Sequence, residues 1–291
     1  MGTTFTRAPA FGHTHTGFRR LEGQMTAAKA YKGIGMEGAI ATWYTQNTGR
    51  DLRRFTETAR LVAERARPGG DVLEVAPGPG YLAIELATRG YRVTGLDISE
   101  SFVRIARERA RKAGVPVDIR RGNAAQMPFA DAAFDFVVCT AAFKNFSDPV
   151  GALNEMHRVL RPGGGASVFD LRKDASHEDI DLEIRHMGLS ALNALMTRWT
   201  FRLLLLKRAY TREQLERMVA QSRFGRCEIA ANGIGFELRL TKAERLNTRS
   251  VGLTPAGGAE LPSRPSRRAS PRARVEGAGE PELECSEQTP L

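Results

Sequence analysis

The chain has 291 residues, 42% of them hydrophobic and 26% charged, with 43 Lys and Arg against 33 Asp and Glu for a net charge of +10. Length and apolar content fit one sizeable α/β domain with accessory segments, which excludes a fibrous or wholly disordered chain. No apolar run approaches the length of a membrane span and the N-terminus lacks a signal-peptide core, so a cytoplasmic protein without a membrane span is expected.

Residues 1–25 are rich in Thr, Gly and His without apolar periodicity and read as a flexible N-terminus. His13 and His15 stand there with no third ligand nearby, and Cys139, Cys227 and Cys285 are far apart with no C-x-x-C spacing, so no metal site is expected. From Lys29 the chain brings Tyr31, Met36, Trp43 and Tyr44, then an amphipathic charged helix over 51–67 that stops at Pro68-Gly-Gly. Its basic residues, like those between Arg104 and Arg121, are interleaved with Asp51, Glu57, Glu64 and Glu108 at helical spacing, as on solvated faces. The positive charge is therefore a weak argument for nucleic acid.

In Asp71-Val-Leu-Glu-Val-Ala-Pro-Gly-Pro-Gly-Tyr81, Val72, Leu73 and Val75 show no polar alternation, as in a parallel strand covered on both faces. The run carries Glu74 and ends in a turn whose Gly78 and Gly80 allow backbone angles and close approaches that a Cβ forbids. A helix over 82–89 stopped by Gly90 leads to a second strand over 91–97 that ends in Asp97. Strand, glycine turn, helix, strand and acid make the layout of a nucleotide-binding unit, with the second acid placed to accept from a ribose. The turn has neither the full G-x-G-x-x-G spacing nor the Lys-Ser/Thr ending of a phosphate loop.

Ser99 is placed to cap a helix that runs to Ala113-Gly114, and a third strand over 115–120 enters Arg121-Gly-Asn-Ala-Ala-Gln-Met-Pro-Phe129. Phe134 to Thr140 reads as a fourth, buried strand, followed by the loop Ala141 to Pro149, where ligands of open α/β sheets bind. A helix over 149–161 ends at Leu160-Arg-Pro-Gly-Gly-Gly165, before a strand over 166–171. The apolar segment 187–206, interrupted by Arg198 and Arg202, is not transmembrane; it is expected to be buried as a lid over the site or as a homodimer contact. Thr211 with Gln214 marks a capping box, and Asn232-Gly233 marks a hairpin between the last two strands. Residues 242–291 turn to Pro, Gly, Ser, Arg and Glu without periodicity and read as a disordered tail.

Four phrases in order, among them Glu74-Val-Ala-Pro-Gly-Pro-Gly80, Arg121-Gly-Asn-Ala124 and Glu155-Met-His-Arg-Val-Leu-Arg-Pro-Gly-Gly164, resemble the class I S-adenosyl-L-methionine (SAM) dependent methyltransferases of the small-molecule type 11 domain family. The resemblance covers roughly residues 37–175. The loop Phe143-Lys-Asn-Phe-Ser-Asp-Pro149 is similar to that of ubiquinone/menaquinone C-methyltransferases. The family usually has glycine where this chain has Ala76, and Gly-Asp-Ala where this chain has Asn123.

The resemblance implies a Rossmann-like, doubly wound α/β fold over 26–241: a seven-stranded, mostly parallel sheet with helices on both faces and a helical lid at about 175–209. It implies methyl transfer from SAM to a small, lipophilic or aromatic acceptor by in-line displacement. On this reading Asp97 holds the ribose with Ile98 beside it, the turn from Ala76 through Gly78 to Gly80 admits the methionine part, and Glu74 supports the turn. Asn123 and Ala124 read adenine, and Thr140 ends the fourth strand at the same crevice. Tyr31, Met36, Trp43 and Tyr44 are expected to cover the cofactor mouth or staple it to the core. Tyr44, Lys144 and His186 are the candidates for a general base. Two alternatives stand beside this reading, a catalytically inactive binding or assembly subunit and an RNA methyltransferase. Two nucleic-acid options are disfavoured: amino-group methylation of adenine, because Cys139-Thr140-Ala141 stands where an Asn/Asp-Pro-Pro-Tyr/Phe would be, and cytosine-C5 methylation, because its Pro-Cys nucleophile is absent.

Overall fold

Alternation along the central strands decides how the layers form. In β1 (Asp71–Val75), Leu73 and Val75 face one side and Val72 the other, and all three are buried. In β4 (Phe134–Thr140), Val137 and Cys139 share the first side while Phe136 and Val138 share the second. Each face therefore needs a helical layer, and the chain supplies two.

The computed structural model describes residues 31–32, 35–49, 52–186, 191–200 and 206–244, all within the unit Met1–Leu246. On the Val72 and Phe136 face lie α2 (Arg53–Ala63), α3 (Tyr81–Thr88) and α4 (Glu100–Ala113), packing Ala59, Val62, Leu82, Leu86 and Ala106 into one apolar cluster. On the other face, α5 (Pro149–Val159) contributes Leu153 and Met156, and α8 (Arg212–Ala220) contributes Leu215 and Val219. Also among the described residues are α1 (Gly38–Thr48), α6 (His177–His186), α7 (Ala191–Thr200) and a single helical turn at Leu206–Arg208. With β2 (Arg92–Asp97), β3 (Val117–Arg121), β5 (Leu160–Leu171), β6 (Glu228–Asn232) and β7 (Gly235–Thr241), the sheet runs β3-β2-β1-β4-β5-β7-β6. The five strands β1 to β5 are parallel, β7 is antiparallel to β5, and β6 is antiparallel to β7. This is the expected doubly wound α/β fold. Strand order reverses between β1 and β4, and the carboxyl ends at such a switch point are where open α/β sheets bind their ligands.

Local signals hold where hydrogen bonds can be named. Ser99 accepts from the Phe102 amide to start α4, Thr211 and Gln214 form the reciprocal box at α8, and Asn232-Gly233 joins β6 to β7. The largest difference in a boundary is at β5. β5 begins at Leu160, six residues before the expected start, because Leu160 already pairs with Phe134 across a bulge before regular pairing resumes at Gly165.

The apolar segment after Met187 is also corrected in part. In α7, Leu195, Met196 and Trp199 are 49%, 62% and 60% exposed, and Arg198 pairs with Asp181 of α6 at 2.8 Å. These three side chains are exposed, and Arg198 is the α7 side chain that reaches α6 among the described residues. Residues 187–190 and 201–205, the N-terminal 1–30 with His13 and His15, and the tail after Glu244 lie outside the described residues. No helix among the described residues is long and apolar enough to cross a membrane.

Candidate active site

The turn after β1 is built by three residues in the left-handed region: Ala76 at φ 58°, Gly78 at φ 55° and Gly80 at φ 80°. The Ala76 amide donates to the Leu96 carbonyl at 2.8 Å, which fixes the turn against β2. A Cβ on Gly80 would lie 2.9 Å from the Ala106 Cβ, so Gly80 is where α3 seats on α4. A Cβ on Gly78 would meet only the Phe102 ring at 4.0 Å, so Gly78 borders open space. The two glycines therefore differ in purpose, one serving packing and the other leaving a cradle.

Asp97 closes this cradle from β2. Its Oδ2 accepts from the Gly78 amide and its Oδ1 from the Ser99 amide, both at 2.9 Å. Burial pushes its carboxyl up to about 6, raised slightly by Glu37 and opposed by those amides. Beneath the turn, Glu74 is 1% exposed, and its Oε2 has no hydrogen-bond partner among the described residues. Burial first, and the Asp97 carboxylate second, push Glu74 up to about 8. Two buried acids with spare acceptor capacity beside an open glycine wall suit a ligand carrying hydroxyl donors and positive charge.

In the neighbouring loop, part of the acceptor capacity of Asn123 is already in use. Asn123 Oδ1 accepts from the Ala125 amide at 3.0 Å and so folds its own turn, and the Gly122 amide donates to the Asp97 carbonyl at 2.9 Å. Its second lone pair is the one open to a ligand. Ala124, Ile98 and Thr140 are half-buried around the same crevice. Glu37, which the sequence did not single out, spans the entry to α4: its two carboxylate oxygens accept from the Glu100 and Ser101 amides, each at 3.0 Å. Burial would raise the Glu37 carboxyl, but the Ser101 and Glu100 hydrogen bonds outweigh it and hold the group low. Ser99 Oγ donates to the Met36 carbonyl at 2.6 Å, which ties the start of α1 to the same corner.

Beyond β4 and β5 the crevice has a second polar centre. Lys144, in the short 3-10 turn Phe143–Asn145, donates from Nζ to Asp170 Oδ1 and to the Ala141 carbonyl, both at 2.7 Å. Asp170 also accepts from the Lys144 and Leu171 amides. Tyr210 packs edge-on against Phe143, and its phenol is pushed up by burial and by Asp170. Asp170 and Tyr210 escaped the sequence reading, although Asp170 ends its strand near the carboxyl edge just as Asp97 does. Of the expected cover, Tyr44 meets Phe102 edge-on at 5.7 Å, whereas Trp43 is 63% exposed and neither covers nor staples. The structure brings Tyr31, Tyr44, Asp97, Lys144 and Asp170 to one side of the sheet edge; the His186 side chain lies outside the described residues.

Comparison with known proteins agrees with this arrangement. Residues 73–168 match the methyltransferase domain family. Over 166 residues the chain is 31% identical to the ubiquinone/menaquinone biosynthesis C-methyltransferase of Cupriavidus metallidurans, covering 55% of this chain and 67% of that protein. It is 38% identical over 124 residues to the demethylmenaquinone methyltransferase of Thermus thermophilus, covering 42% and 56%. The chain spans about half the length of most such curated relatives. Among solved structures, a SAM-dependent methyltransferase from Aquifex aeolicus aligns with a TM-score of 0.50 at 17% identity, over 66% of this chain and 98% of that one. A protein from Methanococcus maripaludis described as a SAM-dependent methyltransferase aligns with a TM-score of 0.58 at 18% identity, over 73% and 96%; both likenesses are of fold. The glycine turn, the acid of β2 and these relatives together place the chain in the class I S-adenosyl-L-methionine-dependent methyltransferases, whose cofactor is SAM.

Proposed function

We propose that the protein transfers the methyl group of SAM to a small lipophilic or aromatic acceptor, with a quinol ring the class that the names of the relatives favour. The observation that carries this reading is the hydrogen bond from the Gly78 amide to Asp97, which joins an open glycine wall to a buried acid at the switch point of the sheet. The residues fit the cofactor on two further grounds. Glu74 Oε2 is a buried acceptor without a partner, and Gly78 leaves open the space that a Cβ would fill. When bound, SAM supplies a methyl group on a positively charged sulfur.

The chain supplies the rest. Asp97 keeps acceptor capacity for ribose hydroxyls while the Gly78 and Ser99 amides hold its carboxylate in place. Ile98, Ala124 and the free lone pair of Asn123 line the adenine corner. Displacement at sulfur disperses charge, so a site that excludes water and aligns the acceptor lowers the barrier. Tyr210, half-buried and edge-on to the buried Phe143, gives the acceptor side an aromatic surface. We assign Lys144 as a hydrogen-bond donor there and not as the proton acceptor, because Asp170 and the Ala141 carbonyl already hold its ammonium. Its third N–H has no partner among these and is open to an acceptor oxygen.

Ala76 bears on the inactive alternative. It takes the left-handed φ of 58° that a glycine would adopt, so the turn keeps its path and that substitution gives the alternative little support.

Calorimetry with SAM and S-adenosylhomocysteine (SAH), followed by radiolabelled methyl transfer onto metabolite, lipid-quinol and RNA fractions, tests the proposal. Binding of both compounds, its loss in Asp97→Ala, and label in the quinol or small-metabolite fraction are expected. No binding of either compound would end the enzymatic reading, and salt-sensitive labelling of RNA alone would replace the acceptor class.

A further inference from the structure

Arg158 lies outside the site just described, near the end of α5, yet its side chain reaches the loop that follows Asn123. Nη1 donates to the Phe129 carbonyl at 2.7 Å and to Asp131 Oδ1 at 2.8 Å, and Nη2 donates to the Met127 carbonyl at 3.0 Å and to Glu155 Oε2 at 2.8 Å. Nε donates to Glu155 Oε1 at 2.7 Å. Every N–H of the guanidinium is therefore used, and its plane is fixed. Glu155 completes the grip, since its Oε2 also accepts from the Met127 amide at 2.7 Å, while the Ala132 amide donates to the Arg158 carbonyl at 3.1 Å. Asp131 is 79% exposed, so that arm is screened and adds little; Arg158 and Glu155, at 21% and 19%, hold the loop through Met127 and Phe129. The held stretch begins where the Asn123 turn closes, because the Gln126 amide donates to the Asn123 carbonyl at 3.0 Å. The start of that turn is tied to β2 by the Gly122 amide on the Asp97 carbonyl. Asn123 thus hangs between two anchors, Asp97 on one side and the pair Arg158 and Glu155 on the other.

We propose that Arg158, with Glu155, is the positioning residue that sets Asn123 for adenine and so decides which base the cofactor site accepts. This rests on the function proposed above, which puts adenine at Asn123. An aspartate at this position would accept an amino group with either oxygen, whereas an asparagine accepts with one and presents donors from its nitrogen. One lone pair of Asn123 Oδ1 is already taken by the Ala125 amide, so a single direction is left from which an amino group can donate. Hydrogen bonds weaken steeply as they bend, so this acceptor depends on a turn that does not drift. The clamp supplies that constraint without touching the base. A lysine at 158 would offer three donors on a flexible stem and could not serve two carbonyls and both Glu155 oxygens together.

The test measures by calorimetry the ratio of affinities for SAH and for S-inosylhomocysteine, in which a carbonyl oxygen replaces the adenine amino group. The wild type is expected to favour SAH by about five- to tenfold, the worth of one hydrogen bond to a neutral acceptor. Arg158→Lys is expected to bring the ratio down to about twofold, as that bond loses its alignment. Arg161→Lys disturbs ion pairs with Asp71 and Asp135 at the opposite end of the strands, and is expected to leave the ratio as in the wild type. In an Asn123→Ala background the ratio should be close to unity and Arg158→Lys should change it no further, which separates positioning of Asn123 from a general loss of stability. An unchanged ratio in Arg158→Lys, or an equal fall in Arg161→Lys, overturns the proposal. A wild type that binds SAH but does not distinguish the two compounds refutes the adenine corner and the proposal with it, whereas a wild type that binds neither refutes the underlying function. Should Arg158→Lys fail to fold, Glu155→Gln keeps an acceptor for the Met127 amide while losing the charge that orients Arg158, and carries the same expectation; an unchanged ratio there counts against the proposal.

Discussion

The Gly78 amide donates to Asp97 Oδ2 at 2.9 Å, so the turn after β1 and the acid that ends β2 move as one unit. Disturbing either end disturbs the other.

The two glycines of the turn separate packing from binding. Gly80→Ala places a methyl 2.9 Å from the Ala106 Cβ in a left-handed backbone, and is expected to cost about 2–3 kcal/mol of stability. Gly78→Ala meets open space within the protein and is expected to cost only about 1 kcal/mol while weakening SAM binding at least tenfold. Urea unfolding and calorimetry of both variants check this. Equal stability losses with equal affinity losses would show that the cradle is not where we place it.

Ala76 carries a Cβ in a conformation that disfavours one by roughly 1–2 kcal/mol, whereas glycine adds about 0.4–1 kcal/mol of chain entropy to the unfolded state. Ala76→Gly is therefore expected to stabilise the protein by about 0.5 kcal/mol, with a thermal midpoint about 1–2 °C higher. A lower midpoint would mean that the Ala76 methyl, which packs on the main core cluster, outweighs the backbone strain.

Stability should depend on pH through Glu74 and Asp97. Both folded carboxyls are raised, Glu74 from 4.5 to about 8 and Asp97 from 3.8 to about 6. The stabilisation is therefore full below the unfolded values and is lost as pH rises through the folded ones. In the Glu74→Gln variant the contribution from that side chain becomes flat, so its stability relative to wild type is expected to grow between pH 5 and 8, by up to roughly 1.4 kcal/mol per unit. Chemical denaturation at several pH values measures the difference. The positive charge of SAM favours the ionised acids, so binding near pH 7 is expected to release protons, visible as a dependence of the calorimetric heat on buffer ionisation.

The ion pair between Lys144 and Asp170 is buried, at 8% and 1% side-chain exposure. Asp170→Ala strands an ammonium and two amides and is expected to cost about 3–5 kcal/mol. Lys144→Met leaves Asp170 with both amide donors, so about 1–2 kcal/mol less should be lost. Equal costs for the two variants would show that the amides contribute little.

The sequence by itself determined the strands, the glycine turn, the caps and the position of Asp97. Each is set within a few residues, by an unbroken apolar run, a backbone angle or a side chain reaching its own turn. The hairpin at Asn232-Gly233 and the box at Thr211 were legible for the same reason. Only the tertiary structure decided that Lys144 is paired and not free, because Asp170 lies 26 residues away and meets it through the pairing of β4 with β5. It likewise decided that Asn123 spends one lone pair on its own loop, that Trp43 faces solvent, and that Tyr31 sits on the β4 rim. Such relations depend on how separate segments dock, and docking is chosen by the burial of whole faces, which no single window of sequence contains.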